Sequence, residues 1–375
     1  MTRLILTAPH VFDGSQMLPD HAVVIEAGQI TAILPITQAP DGPCQALNGT
    51  LAPGLIDLQV NGGAGLMLDG QATPERIATI CAAHARLGAT GILPTLITDT
   101  PSATTAVIAA GIAAAKTKTP GFLGLHLEGP HLDRKRQGAH DPALIRPMTE
   151  ADLTELCAAA RQLPALMLTL APASVTSNQI TQLTQAGAII SLGHTESTYA
   201  EATAAAQAGA RCVTHLFNAM SQLGNREPGL VGAVLSGSLH AGIIADGLHV
   251  HPATLRTALA ARPTGLFLVS DAMAVAGTSL SEFTLGTRKI LRQNGRLLLA
   301  DGTLAGADLS LPQAIAFLIT QLGQSPTRAI AMATSIPARL IGATAGTIRP
   351  GHPADLVHFP PNWALQTVWQ NGTPL

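Results

Sequence analysis

A chain of 375 residues is long enough for two domains, or for one large barrel carrying an appendage. With 47% hydrophobic and only 12% charged residues it can bury an extensive core, which excludes a disordered chain. A net charge of −2 with no basic stripe excludes nucleic acid as a bulk partner, so any anion must be met by a few placed residues. Cys44, Cys81, Cys157 and Cys212 form no C-x-x-C pair and read as small buried hydrophobes in a reducing compartment. The apolar run after Met1-Thr2-Arg3 stops at Pro9, too short for a signal peptide, and Ala106–Ala115 is too short to span a membrane. A cytoplasmic protein is the expectation.

Thr2 to about Gly49 reads as short strands: Leu4-Ile5-Leu6, His21–Glu26 and Ile30–Ile33, with Ala27-Gly28-Gln29 as a hairpin tip. From Pro53 the pattern changes to strand alternating with helix. The first strand is Leu55–Asn61. Thr73 then caps a helix that has Pro74 at its first position and Glu75 in its first turn, and that Gly88 closes. Further strands begin near Ile92, Phe122, Leu166, Ala188, Cys212, Ala241 and Leu266. Eight strands interleaved with helices predict an α/β fold, a (β/α)8 TIM-type barrel. A doubly wound open sheet is the competitor, but it would gather its ligand residues at one switch point. Beyond the barrel strands, Asn294-Gly295 predicts a hairpin, helices follow at Pro312–Leu322 and Pro326–Ile341, and Gly346–Val357 returns to β character. The expected organisation is a small β-sandwich domain from residues 1–52 and 342–375, with the barrel, 53–341, inserted in it.

Three strands end on residues that bind metals: Glu128 after Leu125-His126-Leu127, His194 after Ser191-Leu192-Gly193, and His215 after Val213-Thr214. In a parallel barrel, strand C-termini and the loops beyond them face the substrate. One carboxylate and two imidazoles with a position left for water is the pattern of a catalytic zinc-type site. For any single histidine a hydrogen-bonded core role is the simpler explanation, and it is the one adopted for His84, His126, His131 and His251.

Several segments in order carry a resemblance to a known family. They are Ala52–Asp57, Leu127-Glu128-Gly129-Pro130, Gly138-Ala139-His140, Leu192-Gly193-His194-Thr195, Thr214–Met220, Arg226-Glu227-Pro228-Gly229, Ser270-Asp271-Ala272, and the closing Gly346–Val357. Together they resemble the amidohydrolase superfamily and, within it, the N-acetylglucosamine-6-phosphate deacetylase family, over nearly the whole chain. The resemblance implies hydrolysis of N-acetylglucosamine 6-phosphate to glucosamine 6-phosphate and acetate, in amino-sugar catabolism or recycling. It implies one divalent metal ion per subunit on Glu128, His194 and His215, zinc first, with iron or another first-row metal as the alternative. That ion would lower the pKa of its water to roughly 7. Asp271 is implied as general base and acid, and His140 as the group that polarises the acetyl oxygen. Ala139, His140, Asn218, Ala219, His249, Leu304, Ala305 and Gly306 are implied as substrate contacts. Arg226 is implied as the phosphate ligand, reaching across a homodimer interface.

The departure lies on the first strand, where many superfamily members carry H-x-H and this chain has Gln59-Val60-Asn61. Neutral amides are poor ligands beside imidazole and carboxylate, and strand four, Leu166–Leu170, offers no bridging lysine. Both features favour a single metal. The alternatives that remain are the galactosamine epimer of the same substrate, a cyclic-amide hydrolase or nucleobase deaminase of the same fold, and a barrel that has lost catalysis and serves in binding. Neither nucleic acid nor a membrane is an expected partner.

Overall fold

The computed structural model describes residues 3–375. Met1 and Thr2, which open the segment weighed against a signal peptide and the predicted β region, lie outside the described residues.

The eight barrel strands are Ile56–Val60, Gly91–Ile97, Leu125–Glu128, Leu166–Leu170, Ile189–Leu192, Cys212–Val213, His240–Ile243 and Leu266–Leu268. They pair in parallel in that order, as a barrel requires and as a doubly wound sheet does not. Alternate side chains divide between two clusters. Ile56, Leu58, Leu93, Met167 and Phe267 pack together, whereas Leu125, Leu127, Leu166 and Leu168 join the residues packed with the outer helices. Closure between the last strand and the first is short of a full ladder. It rests on a parallel bridge between Val60 and Ala272, and on the buried Asp57 carboxylate, which accepts from the Ser270 N–H at 3.2 Å.

The third strand starts three residues later than its apolar run suggests. Gly124 has φ +141°, and a Cβ there would lie 2.1 Å from the Ala165 carbonyl oxygen, so the chain swings past its neighbour before it extends. The first outer helix, Pro74–Arg86, is built as its caps predict, with the Thr73 hydroxyl accepting from the Arg76 N–H at 3.2 Å. Pro101–Lys116, which contains the apolar Ala106–Ala115, is a core-facing helix. No helix among the described residues is long and apolar enough to cross a membrane.

Strands from both ends of the chain share one eight-stranded sheet, in which Leu356–Phe359 pairs antiparallel with Thr50–Pro53. Leu6, Val23, Ile25, Ile348, Leu356 and Trp369 contribute to its common core. The hairpin at Asn294-Gly295 is present, with φ of 51° and 72°. It is the centre of a four-stranded antiparallel sheet formed by Glu282–Leu285, Arg288–Gln293, Arg296–Leu298 and Leu304–Ala307. The predicted helix Pro326–Ile341 is two helices, Pro326–Ala331 and Ser335–Ile341, separated where Thr334 leaves helical geometry at φ −134°. Cys81 and Cys212 are buried, and burial pushes both thiols up to about 12. Cys44 departs from the expectation: it lies exposed on the short strand Cys44–Ala46.

Candidate functional site

Glu128 is the last residue of the third strand, and His194 and His215 each lie two residues beyond the ends of the fifth and sixth. Both histidines, and Asp271 beyond the eighth strand, have left-handed backbone, with φ of 47°, 27° and 50°. Such a conformation costs a non-glycine residue on the order of 1–3 kcal/mol and persists only where the surroundings fix it. Here it turns each side chain inward over the barrel mouth. The Asp271 turn is fixed by its carbonyl, which accepts from the Ala307 N–H at 2.9 Å, and by Gly306, where a Cβ would lie 2.8 Å from the same oxygen.

Nε2 of His194 and Nε2 of His215 lie 3.1 Å apart, and they are 3.3 and 3.1 Å from Oε1 of Glu128. Donor atoms about 2.0–2.1 Å from a tetrahedral zinc would stand roughly 3.3 Å apart, so this triangle has the size such an ion needs. Its chemistry points the same way. His194 Nδ1 lies 2.8 Å from the Arg136 carbonyl oxygen, which fixes the ring proton on Nδ1 and leaves Nε2 with a lone pair. Lone pairs of a carboxylate and an imidazole thus converge on one point, where a cation satisfies them. Burial opposes charge on Glu128, but the two imidazoles that face it, His194 and His215, hold its pKa well below the usual value. His215 likewise has its pKa raised, because the bond to Glu128 and that carboxylate's field outweigh burial.

Gln59 and Asn61 stand beside this triangle. The Gln59 amide donates to Glu128 at 3.2 and 3.3 Å and to Oδ1 of Asp271 at 3.1 Å. The Asn61 amide donates to the same Asp271 oxygen at 2.7 Å. Two amides therefore occupy one oxygen of Asp271 and leave Oδ2 for other partners. Burial and the negative charge of Glu128 push the Asp271 carboxyl up, although the bond from Asn61 opposes them. His140 is buried on the other side. The Thr98 N–H donates to its Nδ1 at 3.3 Å and the Thr98 hydroxyl, 2.8 Å from the same nitrogen, can donate there too, an arrangement that favours the ring proton on Nε2, which lies 3.9 Å from Oε2 of Glu128. Burial and then the neighbouring His194 push His140 down to about 3, so the ring is a neutral donor.

Below these groups runs an interior polar layer. Nε2 of His126 lies 2.7 Å from the Thr169 hydroxyl, which is 2.6 Å from that of Thr214, itself 2.6 Å from that of Ser191. His126 is therefore a bonded core residue, and burial pushes it down to about 4. His84 bonds the Gly62 carbonyl oxygen, His131 that of Arg146, and His251 caps the helix Pro252–Ala261, so these three are also accounted for structurally.

A cavity of about 360 Å³ opens over the triangle. The structure brings Asn61, Glu128, Ala139, His140, His194, His215, Asn218, Ala219, His249, Asp271, Leu304 and Gly306 to its wall. It does not bring Ala305 there. Side chains alternate along Leu304–Ala307, so Ala305 faces the core of the four-stranded sheet, with Met273 and Leu297. Arg226 is exposed on its own loop, outside the wall, and no lysine or arginine is among the residues that line the cavity. Sequence reasoning missed Ile97, Ile244, Met273, Leu285, Gly302 and Thr303, which complete the wall, and Gly138, where a Cβ would lie 3.2 Å from the His194 ring. The apolar ones carry no local signal that separates them from core residues.

Residues 50–375 match the model of the Amidohydrolase family, and residues 5–51 that of the NagA composite domain. The N-acetylgalactosamine-6-phosphate deacetylase of Shewanella sp. (strain ANA-3) is 40% identical over 328 residues, 87% of this chain and 83% of that one. The N-acetylglucosamine-6-phosphate deacetylase of Haemophilus influenzae is 32% identical over 369 residues, 96% of each chain. Among solved structures, the N-acetylglucosamine-6-phosphate deacetylase from Pasteurella multocida aligns with a TM-score of 0.95 at 30% identity, covering 100% of this chain and 99% of that one.

Proposed function

The chain belongs to the amidohydrolase family, and from that premise we propose that it hydrolyses the acetamide of N-acetylglucosamine 6-phosphate to glucosamine 6-phosphate and acetate. The observation that carries this reading is the triangle of Glu128, His194 and His215 beside Asp271, on the wall of one cavity. Those three side chains would hold one divalent ion, zinc first among the candidates. When bound, such an ion polarises a carbonyl oxygen and lowers the pKa of water to about 7.

The chain's own groups account for the remaining work. Oδ2 of Asp271 takes the proton of the attacking water and passes it to the departing nitrogen, while Gln59 and Asn61 hold Oδ1 still. The Nε2–H of His140 donates to the acetyl oxygen as negative charge develops there. His249, Asn218 and the backbone at Ala139 and Ala219 orient the sugar, and Leu304 and Gly306 cover the acetyl group. Since no lysine or arginine among the described residues lines the cavity, the phosphate dianion takes its cation from elsewhere, and Arg226 of a second copy in a homodimer is the candidate.

A second reading, the galactosamine epimer, is favoured by the Shewanella relative, whose identity of 40% exceeds the 32% of the Haemophilus one. Acetate release measured across a panel of N-acetylhexosamines, with and without the 6-phosphate, tests both. The expected order places N-acetylglucosamine 6-phosphate first. A preference for the galactosamine ester would exchange the two readings, and release from none of them would end both. In the same assay Arg226→Ala should raise KM about tenfold or more for the phosphorylated sugar and leave the unphosphorylated one unchanged. Equal effects on both would retire the phosphate role.

A further inference from the structure

Behind His249 lies a carboxylate that the reaction as described does not use. After the seventh strand the chain runs Asp246-Gly247-Leu248-His249. Oδ1 of Asp246 accepts from the backbone N–H groups of Leu248 and His249, each at 2.8 Å, so the carboxylate is held by its own turn. Its other oxygen, Oδ2, lies 2.6 Å from Nδ1 of His249. The two side chains are 9% and 5% exposed. Nε2 of His249 is buried and has no hydrogen-bond partner, although the residue is part of the cavity wall.

A neutral imidazole has one N–H, and its position is set by whichever nitrogen meets an acceptor. An ionised carboxylate only accepts, so Asp246 requires the proton on Nδ1. The free lone pair is then on Nε2, the atom left unpartnered beside the cavity. We propose that Asp246 is a positioning residue for substrate: it locks the tautomer and the ring angle of His249, so that Nε2 stands as a fixed acceptor for a hydroxyl of the bound sugar. This rests on the reading of the cavity as a sugar-phosphate site. The groups facing Asp246 agree with it, since the His249 ring and the two backbone N–H groups together outweigh burial and hold its carboxyl below the usual value.

Asp246→Asn separates tautomer from fold. The turn still needs an acceptor for the Leu248 and His249 N–H groups, so the amide oxygen must take the place of Oδ1. The NH2 then faces Nδ1 and donates to it, which moves the ring proton to Nε2 and turns an acceptor into a donor. A wrong tautomer in an intact frame is also how an aspartate-to-asparagine change disables a catalytic triad.

The test is made on the full chain loaded with metal. Nitrogen NMR of 15N-histidine-labelled protein should show His249 protonated on Nδ1 in the wild type and on Nε2 in Asp246→Asn, with thermal unfolding unchanged. KM for the phosphorylated sugar should rise about tenfold in Asp246→Asn, with kcat changed less than about threefold, and His249→Ala should match it. Combining the two changes should cost no more than His249→Ala alone. A wild-type His249 protonated on Nε2 would overturn the proposal. So would an Asp246→Asn enzyme with wild-type KM, whatever His249→Ala does. Failure of the functional reading looks different: the wild type would then release no acetate from any sugar of the panel, while the NMR result would still decide the tautomer.

Discussion

Asp271→Asn is expected to lower kcat by about three to four orders of magnitude while metal content, KM and thermal stability stay near wild type. The asparagine oxygen can still accept from Gln59 and Asn61, which at 3.1 and 2.7 Å hold Oδ1 in the native enzyme. The backbone turn is held independently by the Ala307 N–H. What changes is the second oxygen, which becomes an NH2 that can neither take a proton from water nor hand one to a leaving amine. The loss should therefore appear in turnover and not in binding, and steady-state kinetics beside a melting curve would separate the two. A variant within tenfold of wild-type kcat would remove Asp271 as the base.

The second large effect should follow removal of the cation or of one of its ligands. Without a positive charge, lone pairs of Glu128 and His194 face each other at 3.3 Å in a buried setting, an arrangement that costs stability as well as activity. Chelation should abolish acetate release and lower the melting temperature, and added zinc should restore both, because an ion that binds only the folded chain stabilises it in proportion to its occupancy. Glu128→Gln should reproduce the chelated state and resist rescue at zinc concentrations that restore the wild type. Full activity after exhaustive chelation would mean that the triangle is a hydrogen-bonded cluster and that the chemistry lies elsewhere.

Where the sequence could be read, its signals were local. Thr73 and Pro74 start a helix because a hydroxyl and a ring pre-set for helical φ act within one turn. Asn294-Gly295 makes a hairpin because both residues accept positive φ. Glu128, His194 and His215 were legible as residues at the ends of different strands, since the barrel brings all its strand ends to one face. The task given to Gln59 and Asn61 was not. The sequence marks them as poor ligands, but their bonds to Asp271 span more than 200 positions, and no periodicity reports contacts of that range. That the Ala305 side chain faces the sheet core was not legible either, because a motif match does not say which face of a strand a residue occupies. The outer connections of the four-stranded sheet carry turn signals of their own, Gly286-Thr287 and Asp301-Gly302, but the strands they join are too short to show a period, and the break at Thr334 interrupts a segment whose helical pattern is otherwise continuous. The Asp246–His249 pair spans only three residues, yet an aspartate before glycine reads equally well as an ordinary turn.

One quantity separates this account from its rivals most directly: the number of divalent ions bound per chain, measured by elemental analysis of purified wild-type protein and of Glu128→Gln. A single centre on Glu128, His194 and His215, with amides at Gln59 and Asn61 in place of further ligands, predicts a value near one for the wild type and near zero for the variant. A wild-type value near two would contradict the single-metal site, and a value of zero, or one that survives Glu128→Gln, would contradict the site itself.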